Sequence, residues 1–370
     1  MRIPLSSPDV TELEIEAVAA VLRTSSLSLG PKVKEFEEAL SRYVGSSDAV
    51  AVSSGTAGLH LCIRALGISE GDEVLVPSFA FIAVANAVRY EGATPVFVDI
   101  DPETLNLDPS LLEEAITSRT RAIIVVHTFG VPAALSRVIE IAKRHDLYVI
   151  EDACEAIGAE YDGRKVGGWG DIGVFGFYPN KQITTGEGGA VVSNDPKLIR
   201  KVRELRNQGR RDSDEWFQHS ELGYNYRISD INCALGIEQL KRIGPILKQR
   251  ETIANKYGQL LKCEPDLRIP QLVGPQRKTS WFVYVVLLSN RLGGLRRDTI
   301  IREMKMRGIA VGRYFAPIHL QPAYLCCDGI RTSLSITESC ASRTLALPFF
   351  NRIQGGEITE VCQTLHELIR

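Results

Sequence analysis

Lys181 stands in the run Pro179-Asn180-Lys181-Gln182-Ile183-Thr184-Thr185-Gly186-Glu187-Gly188-Gly189, after an apolar stretch and ahead of a glycine-rich turn. A lysine held between two strands is partly desolvated, a state that suits its amine to Schiff-base chemistry. Most lysines are solvated surface charges, so its company matters. Val149-Ile150-Glu151-Asp152-Ala153 closes an apolar run with two acids. An aspartate there can cap the next helix. It can equally lie beside a ring nitrogen, where an anion keeps a pyridinium protonated and electron-withdrawing. In Ser53-Ser54-Gly55-Thr56, small residues let the backbone approach a ligand, and a helix starting there would aim free N–H groups at a phosphate. The same turn can also do no more than cap a helix. In Pro77-Ser78-Phe79-Ala80-Phe81, one aromatic side chain reads as core and the other could lie flat on an aromatic ring. In chain order these are a phosphate cradle, a stacking ring, a pyridinium partner and an amine, the parts that pyridoxal 5'-phosphate needs. Neither a phosphate-loop pattern nor a G-x-G-x-x-G in strand–turn–helix context is present, so triphosphate and dinucleotide binding lack support.

The elements that must hold these turns follow from periodicity. Between about residues 50 and 200 short apolar runs predict strands at Asp48–Val52, Glu73–Pro77, Pro95–Asp99, Ala122–Val126, Tyr148–Glu151, Ile172–Phe177 and Ala190–Ser193. Helix-length segments lie between several of them, at Ala57–Leu66, Ile82–Arg89, Pro109–Ile116 and Ala133–His145. Strand–helix alternation implies crossovers, hence a mostly parallel central sheet covered by helices, with ligands at the carboxyl ends of its strands. Thr11-x-x-Glu14 reads as a capping box for a helix through Leu22. The polar stretch Gln208–Leu222 is too long for a plain connection and reads as a functional loop. Beyond it come a helix at Pro245–Leu261, a buried strand at Trp281–Leu288, and helices at Asp298–Arg307 and Glu357–Ile369. The expected organisation is α/β: a large domain over residues 1–244 with an N-terminal helix arm, and a smaller α+β domain over 245–370.

Composition narrows the classes. A net charge of −2 over 370 residues leaves no basic footprint for nucleic acid. No apolar run approaches the ~18 residues of a membrane span, and no metal site is suggested. The eight cysteines are dispersed apart from Cys326-Cys327, which fits reduced thiols in a cytoplasmic enzyme. Arg203, Arg206 and Arg210 fall on one helical face. They read as a solvated surface, with a diphosphate contact near the Gln208–Leu222 loop as the functional alternative.

The runs SSGTAGLHLCIRALG, GDEVLVPSFAFIAVANAV, GATPVFVDIDPETLNLD, VIEDACEAIGAEYDGRKVG, FGFYPNKQITTGEGGAVVSND and LGYNYRISDINCALG, in this order and spacing, resemble the DegT/StrS nucleotide-sugar aminotransferases of the aspartate-aminotransferase fold (fold type I). The resemblance implies transamination of a nucleotide-linked keto sugar, with L-glutamate as amino donor, in a ping-pong scheme through the pyridoxamine form of the cofactor. It implies that Lys181 carries the cofactor and shuttles the proton, and that Asp152 pairs with the ring nitrogen. Gly55 and Thr56 would bind the phosphate, Phe81 would stack on the ring, and Glu155 would sit near the ring hydroxyl. Asn225 would reach the phosphate of a neighbouring subunit's cofactor, making a homodimer with shared sites. His219 and His319 resemble positions lining the sugar pocket.

Two positions depart from the family pattern. Gly176 stands where a phosphate-binding Ser is common, and Glu155 where Gln is common. The alternatives are a dehydratase or deoxygenase, in whose relatives a histidine replaces the lysine, and a catalytically silent cofactor-binding regulator.

Overall fold

Five-residue strands rich in Val, Ile and Ala cannot leave either face in water, so they stack side by side and take helices on both faces. The computed structural model describes residues 1–211, 213–270, 274–326, 329 and 333–370. Its first half runs α1 (Glu12–Leu22), α2 (Pro31–Val44), β1 (Asp48–Val52), α3 (Gly55–Ala65), β2 (Glu73–Pro77), α4 (Ala83–Tyr90), β3 (Thr94–Val98), α5 (Leu112–Ala115), β4 (Thr120–Val126), α6 (Leu135–Arg144), β5 (Tyr148–Asp152), β6 (Glu160–Tyr161), β7 (Arg164–Lys165), β8 (Ile172–Gly176) and β9 (Gly189–Ser193). Then follow α7 (Pro196–Arg206), α8 (Asp230–Lys241), α9 (Ile243–Leu261), β10 (Leu267–Arg268), β11 (Arg277–Lys278), β12 (Tyr284–Leu288), α10 (Leu295–Met306), α11 (Ser335–Arg343), β13 (Thr344–Leu347) and α12 (Gly355–Ile369).

Among the described residues the main sheet has the order β1-β9-β8-β5-β4-β2-β3. All its pairings are parallel except those of β9, which runs against both β1 and β8. The carboxyl ends of β1, β2, β5 and β8 therefore share one edge, where the motif-bearing turns emerge. One face packs under α2, α6 and α8, the other under α3, α4 and α7. Local signals set the helix ends. Helix α2 begins with Pro31 and stops at Gly45, whose φ of +83° suits a residue without Cβ. Helix α6 buries Leu135, Val138, Ile141 and Ala142 on one stripe.

The second unit is built on β10-β12-β13 with α9, α10 and α12 around one core. Two threads cross the expected boundary at residue 244. Ile3 lies in that core, with the amides of Arg2 and Ile3 bonded to Gly308 O, so the first residues pack with the smaller unit. In return Tyr324 and Leu334 join the core of the main sheet.

Expected strands match observed ones within a residue or two at each end, and Trp281–Leu288 shortens to Tyr284–Leu288. Pro109–Ile116 is a 3-10 turn followed by the single turn of α5. The region 211–222 holds no regular element among its described residues.

Arg203 and Arg206 of α7 are not a solvated surface, and Arg210 lies past the end of that helix over the Trp216 ring. β1 is the sheet's edge strand, and its free backbone groups need partners. Glu37 Oε1 accepts from Ala51 N at 2.9 Å, and Arg206 Nη1 donates to Ala51 O at 2.7 Å and Glu37 Oε1 at 2.5 Å. Arg203 adds bonds to Glu37, Asp48 and Ala49 O. These arginines seal a sheet edge.

The expected capping box is present: Thr11 N and Oγ1 both bond Glu14 Oε2, at 2.7 and 2.5 Å. Gln239 and Arg242 then bond Glu14 Oε1 at 2.8 and 2.6 Å, tying α1 to α8. Burial would raise this carboxyl, but the bonds from Thr11, Arg242 and Gln239 outweigh it and hold it at about 2. A depressed folded pKa contributes stability above the unfolded value and loses it as pH falls. Glu14→Gln is expected to cost on the order of 2–3 kcal/mol at neutral pH. The gap between the two proteins should close as pH falls from about 4.5 toward 2, read from urea midpoints; a gap independent of pH would rule out the carboxylate as its source.

Candidate active site

The cavity at the strand ends has a volume of about 420 Å³, and its walls include Gly55, Thr56, Phe81, Asp152, Glu155 and Lys181. Six of the seven residues expected at the cofactor thus meet in one place.

The register explains the meeting. Gly189 at the start of β9 lies opposite both Val52 and Gly176, and Asp152 lies opposite Val174. A Cβ on Gly189 would stand 2.6 Å from Ser54 C and 2.7 Å from Gly55 N, so only glycine lets α3 close over the strands. Ser54 caps α3 through Ala57 N at 3.0 Å, and the first intrahelical bond runs from Gly58 N to Ser54 O. Gly55 and Thr56 are left at the cavity wall, at the electropositive end of an 11-residue helix.

The acid pair is divided by strand alternation. Glu151 is fully buried, facing His127 Nε2 at 3.1 Å and accepting from the amides of Gly167, Trp169 and Gly170. Burial works to raise its carboxyl, and the bonds and charge of His127 with these amides hold it low instead. It is a structural anchor. Asp152 enters the cavity, accepting from Cys154 N at 3.0 Å. Glu155 is buried, with Oε2 accepting from Phe129 N at 2.9 Å and Oε1 3.6 Å from Lys181 Nζ. Burial pushes the Glu155 carboxyl up, while Lys181 and the Phe129 amide pull the other way.

Lys181 sits at the crest of a tightly bonded turn. Thr184 Oγ1 donates to Phe177 O at 2.9 Å, Thr185 N reaches the same carbonyl, and Gln182 Nε2 donates to Glu155 O at 2.7 Å. Asn232 Nδ2 holds Thr185 O from α8 at 2.6 Å. Only 15% of the Lys181 side chain is exposed, and its Nζ lies 4.1 Å from the Phe282 ring centre.

The two aromatic candidates separate. Phe79 is fully buried, edge-on to Phe129 and Phe315, whereas Phe81 is 61% exposed on the cavity wall. Gly176 also lines the cavity; a Cβ there would stand 3.2 Å from both Cβ and Sγ of Cys154. The thiol of Cys154 thus occupies the neighbourhood of the absent hydroxyl, and burial with the nearby Asp152 pushes its pKa well up.

Three expected residues lie elsewhere. Asn225 is exposed on the chain's surface and does not line its own cavity. His219 is an exposed loop residue with Nδ1 3.0 Å from Gln208 O. His319 is buried behind the strand ends, with Nδ1 2.6 Å from Ser78 Oγ and Nε2 3.2 Å from Glu338, a tie between segments rather than a wall of the pocket. Sequence reasoning missed Phe282, Tyr314 and Phe315, which come from the second unit and close the cavity. Their aromatic character was the available signal, and it is shared by every core aromatic.

The residues fit pyridoxal 5'-phosphate: a helix N-terminus for an anion, a carboxylate for a ring nitrogen, an exposed phenyl ring and a largely screened amine for a carbonyl. Asn180 Oδ1, also in the wall, is buried without a hydrogen-bond partner among the described residues.

The profile of the DegT/DnrJ/EryC1/StrS aminotransferase family matches residues 8–366. GDP-perosamine synthase of Caulobacter vibrioides is 40% identical over 372 residues, covering 100% of this chain and 98% of that protein. Among solved structures, S. venezuelae DesV in complex with a ketimine intermediate aligns with a TM-score of 0.92 at 35% identity, covering 100% of this chain and 99% of that one. The sugar aminotransferase Spr1654 of Streptococcus pneumoniae, described as putative, aligns in its PLP form with a TM-score of 0.94 at 28% identity, covering 100% and 99%.

The Glu155–Lys181 pair makes one spectroscopic outcome specific. An ionised carboxylate beside Nζ favours the protonated form of whatever cation is held there. Glu155→Gln keeps the size and the acceptor for Phe129 N while removing the charge. In the cofactor-loaded protein, the pH at which the visible band titrates is expected to fall by about one unit. An unmoved or raised titration in a spectrophotometric pH series would mean that Glu155 is already protonated and acts as a hydrogen-bond donor.

Proposed function

We propose that this chain, which belongs to the DegT/DnrJ/EryC1/StrS aminotransferase family, moves an amino group from L-glutamate to the keto carbon of a nucleotide-linked sugar. It is an aminotransferase, and its cofactor is pyridoxal 5'-phosphate. The observation that carries the reading is the convergence of Lys181, Asp152 and the α3 N-terminus on one cavity. The sugar class rests on relatives, GDP-perosamine synthase foremost.

When bound, the cofactor supplies a conjugated pyridinium that stabilises negative charge on the carbon bearing the transferred nitrogen. The chain's own residues do the rest. Asp152 supplies the anion that keeps the ring nitrogen protonated. Gly55 and Thr56 anchor the phosphate at the helix end. The Lys181 amine holds the cofactor and afterwards moves the proton, kept in place by Phe282 and Glu155. Phe81, Phe282, Tyr314 and Phe315 make the walls apolar and limit water around Nζ. The donor half and the sugar half of the reaction use this one site in turn, a ping-pong scheme.

The working unit is a homodimer in which Asn225 completes the neighbour's phosphate site, a role supported by its exposure away from its own cavity. We place the protein in the cytoplasm. Seven described cysteines are free thiols, Cys327 lies outside the described residues, and among the described residues no helix is long and apolar enough to cross a membrane. Lys181 speaks against the deoxygenase reading. The ion pairs of Arg203 and Arg206 with Glu37 and Asp48 take two of the basic side chains away from any nucleic-acid contact that a regulator would make.

Loading the protein as the pyridoxamine form and screening nucleotide-linked keto sugars tests the proposal: a substrate should bleach the amine-form absorbance. A silent regulator would exchange amino groups with no donor at all. Lys181→Ala is expected to abolish turnover while leaving some cofactor bound without a covalent link. Borohydride reduction and peptide mapping of the parent should place the label on Lys181, and a label on another lysine would overturn the assignment.

Mixing Lys181→Ala with Asn225→Ala protein should restore part of the activity, because a mixed dimer rebuilds one intact site. Activity that never exceeds the parents, once subunit exchange is demonstrated, would sink the shared site.

A further inference from the structure

The segment from Gly223 to Ile228 is strapped onto the domain by its backbone. Tyr224 N donates to Leu205 O at 2.7 Å and Tyr226 N to Arg206 O at 3.1 Å. Tyr224 O accepts from Gln208 N at 2.9 Å and Tyr226 O from Ser53 N at 2.8 Å. An antiparallel bridge pairs Asn225 with Asn207. Successive side chains of an extended segment alternate in direction. Tyr224 and Tyr226 therefore turn inward, their rings stacked 5.1 Å apart, and Asn225 between them is exposed.

What the two tyrosines meet is unusual for a surface loop. His60 of α3 lies with its ring centre 4.6 Å from that of Tyr224 and 5.8 Å from that of Tyr226. Its Nδ1 is 3.0 Å from Tyr226 Oη, and its Nε2 is 2.8 Å from Glu91 Oε1 at the end of α4. The neutral tautomer that satisfies both contacts accepts the Tyr226 hydroxyl and donates to Glu91. Tyr224 Oη donates to the same carboxylate oxygen at 2.6 Å, and Arg64 donates to the other at 3.1 Å. The side chains of His60 and Glu91 are 6% and 7% exposed. Burial alone would raise the Glu91 carboxyl; the bonds from Tyr224 and His60 and the charge of Arg64 bring it below its ordinary range instead.

A carboxylate taken out of water and left with one donor missing is costly, so the three donors are held in place together. The network also stands on α3, the helix whose first turn lines the cofactor cavity.

We propose that Glu91 and His60 are positioning residues that fix the Tyr224–Tyr226 strap and so set where Asn225 is presented to the partner subunit's cofactor phosphate. The inference rests on the shared-site reading above. Glu91 acts on its own chain's loop, but the consequence falls on the other chain's site. A residue that merely stiffened α3 would affect the site of its own chain, because α3 cradles that chain's own phosphate. Cis and trans are therefore separable.

The test uses cofactor-loaded mixed dimers, co-expressed with two affinity tags and purified through both. Glu91→Gln homodimers are expected to hold the cofactor about tenfold more weakly. In a dimer of Glu91→Gln with Lys181→Ala, the only lysine-bearing site receives an intact strap. Cofactor affinity there should return to the parent value, with about half the parental activity. In a dimer of parent chain with the Glu91→Gln, Lys181→Ala double variant, the lysine-bearing site receives the weakened strap and should keep the defect.

The reverse pattern would assign Glu91 to its own site and overturn the proposal, as would a Glu91→Gln homodimer with parental affinity and turnover. If Glu91→Gln does not fold, Tyr224→Phe removes one donor while keeping the ring, and the same mixed dimers are read. The Asn225→Ala dimers separate the two levels. Their failure to complement sinks the shared site itself, while their success beside failure of the Glu91 dimers sinks only the positioning role.

Discussion

Strand β9 runs between β1 and β8, antiparallel to both, and its first residue decides how near those two strands and their turns can come. Gly189 faces Val52 on one side and Gly176 on the other, and any side chain at that position would collide with Ser54 and Gly55. With glycine there, the start of α3 closes over the strand ends. The segment joining β8 to β9 must then leave and return within a dozen residues, beside that helix start. Lys181 rides on that excursion. Its distance to the phosphate cradle is thus set by backbone contact rather than by its own flexible chain. The parallel neighbour β5 delivers Asp152 to the same edge through its pairing with Val174.

Glu151, Asp152 and Glu155 lie within five residues, and the fold gives each a separate task by direction and partner. Glu151 faces away from the cavity, where three backbone amides and His127 satisfy it fully. A carboxylate so partnered is stable when buried and does no chemistry. Asp152 accepts from Cys154 N and retains acceptor capacity toward the cavity. Glu155 has one amide and one ammonium near it, a partial compensation that leaves burial dominant and pushes its carboxyl upward. A glutamine at that position would accept the same amide without carrying a charge. Glu155→Gln therefore changes charge alone and leaves the hydrogen-bonded frame unchanged.

The sheet was legible because its strands are short apolar runs bounded by glycine, proline or acids, and such runs have few other ways to hide both faces. The lining of the cavity was legible for a related reason: Gly55, Asp152 and Lys181 all sit at strand-ending turns, which parallel topology gathers on one edge. What stayed hidden depends on pairings across long stretches of chain. Arg206 reads as one more base on a helix face until Glu37 and Ala51, more than 150 positions earlier, are found against it. Phe282 reads as strand interior because its neighbours are apolar, yet it underlies the lysine. The family resemblance set His319 at the sugar pocket, whereas in the structure Ser78 and Glu338 hold it under the strand ends. The arm at residues 1–5 gave no local sign that Ile3 is core of the C-terminal unit.

Lys181 and Asn225 pose one physical problem at two levels of exposure. Each belongs to a segment outside the strands of the main sheet. A side chain proposed to reach a ligand cannot spend its own polar group on anchoring, so its neighbours do the anchoring. Around Lys181 the inward groups are Gln182, Thr184 and Thr185, bonded to backbone carbonyls of the same turn and of Glu155, Phe177 and Glu187. Around Asn225 they are Tyr224 and Tyr226, whose hydroxyls reach Glu91 and His60 on helices distant in sequence. The difference follows from geometry. The lysine turn folds back on itself and finds acceptors locally. The tyrosine strap spends its backbone groups on Leu205, Arg206, Gln208 and Ser53, and its side chains find their partners in His60 of α3 and Glu91 at the end of α4. A buried carboxylate with three donors tolerates little displacement, and that makes it a suitable peg for a segment that projects Asn225 into solvent.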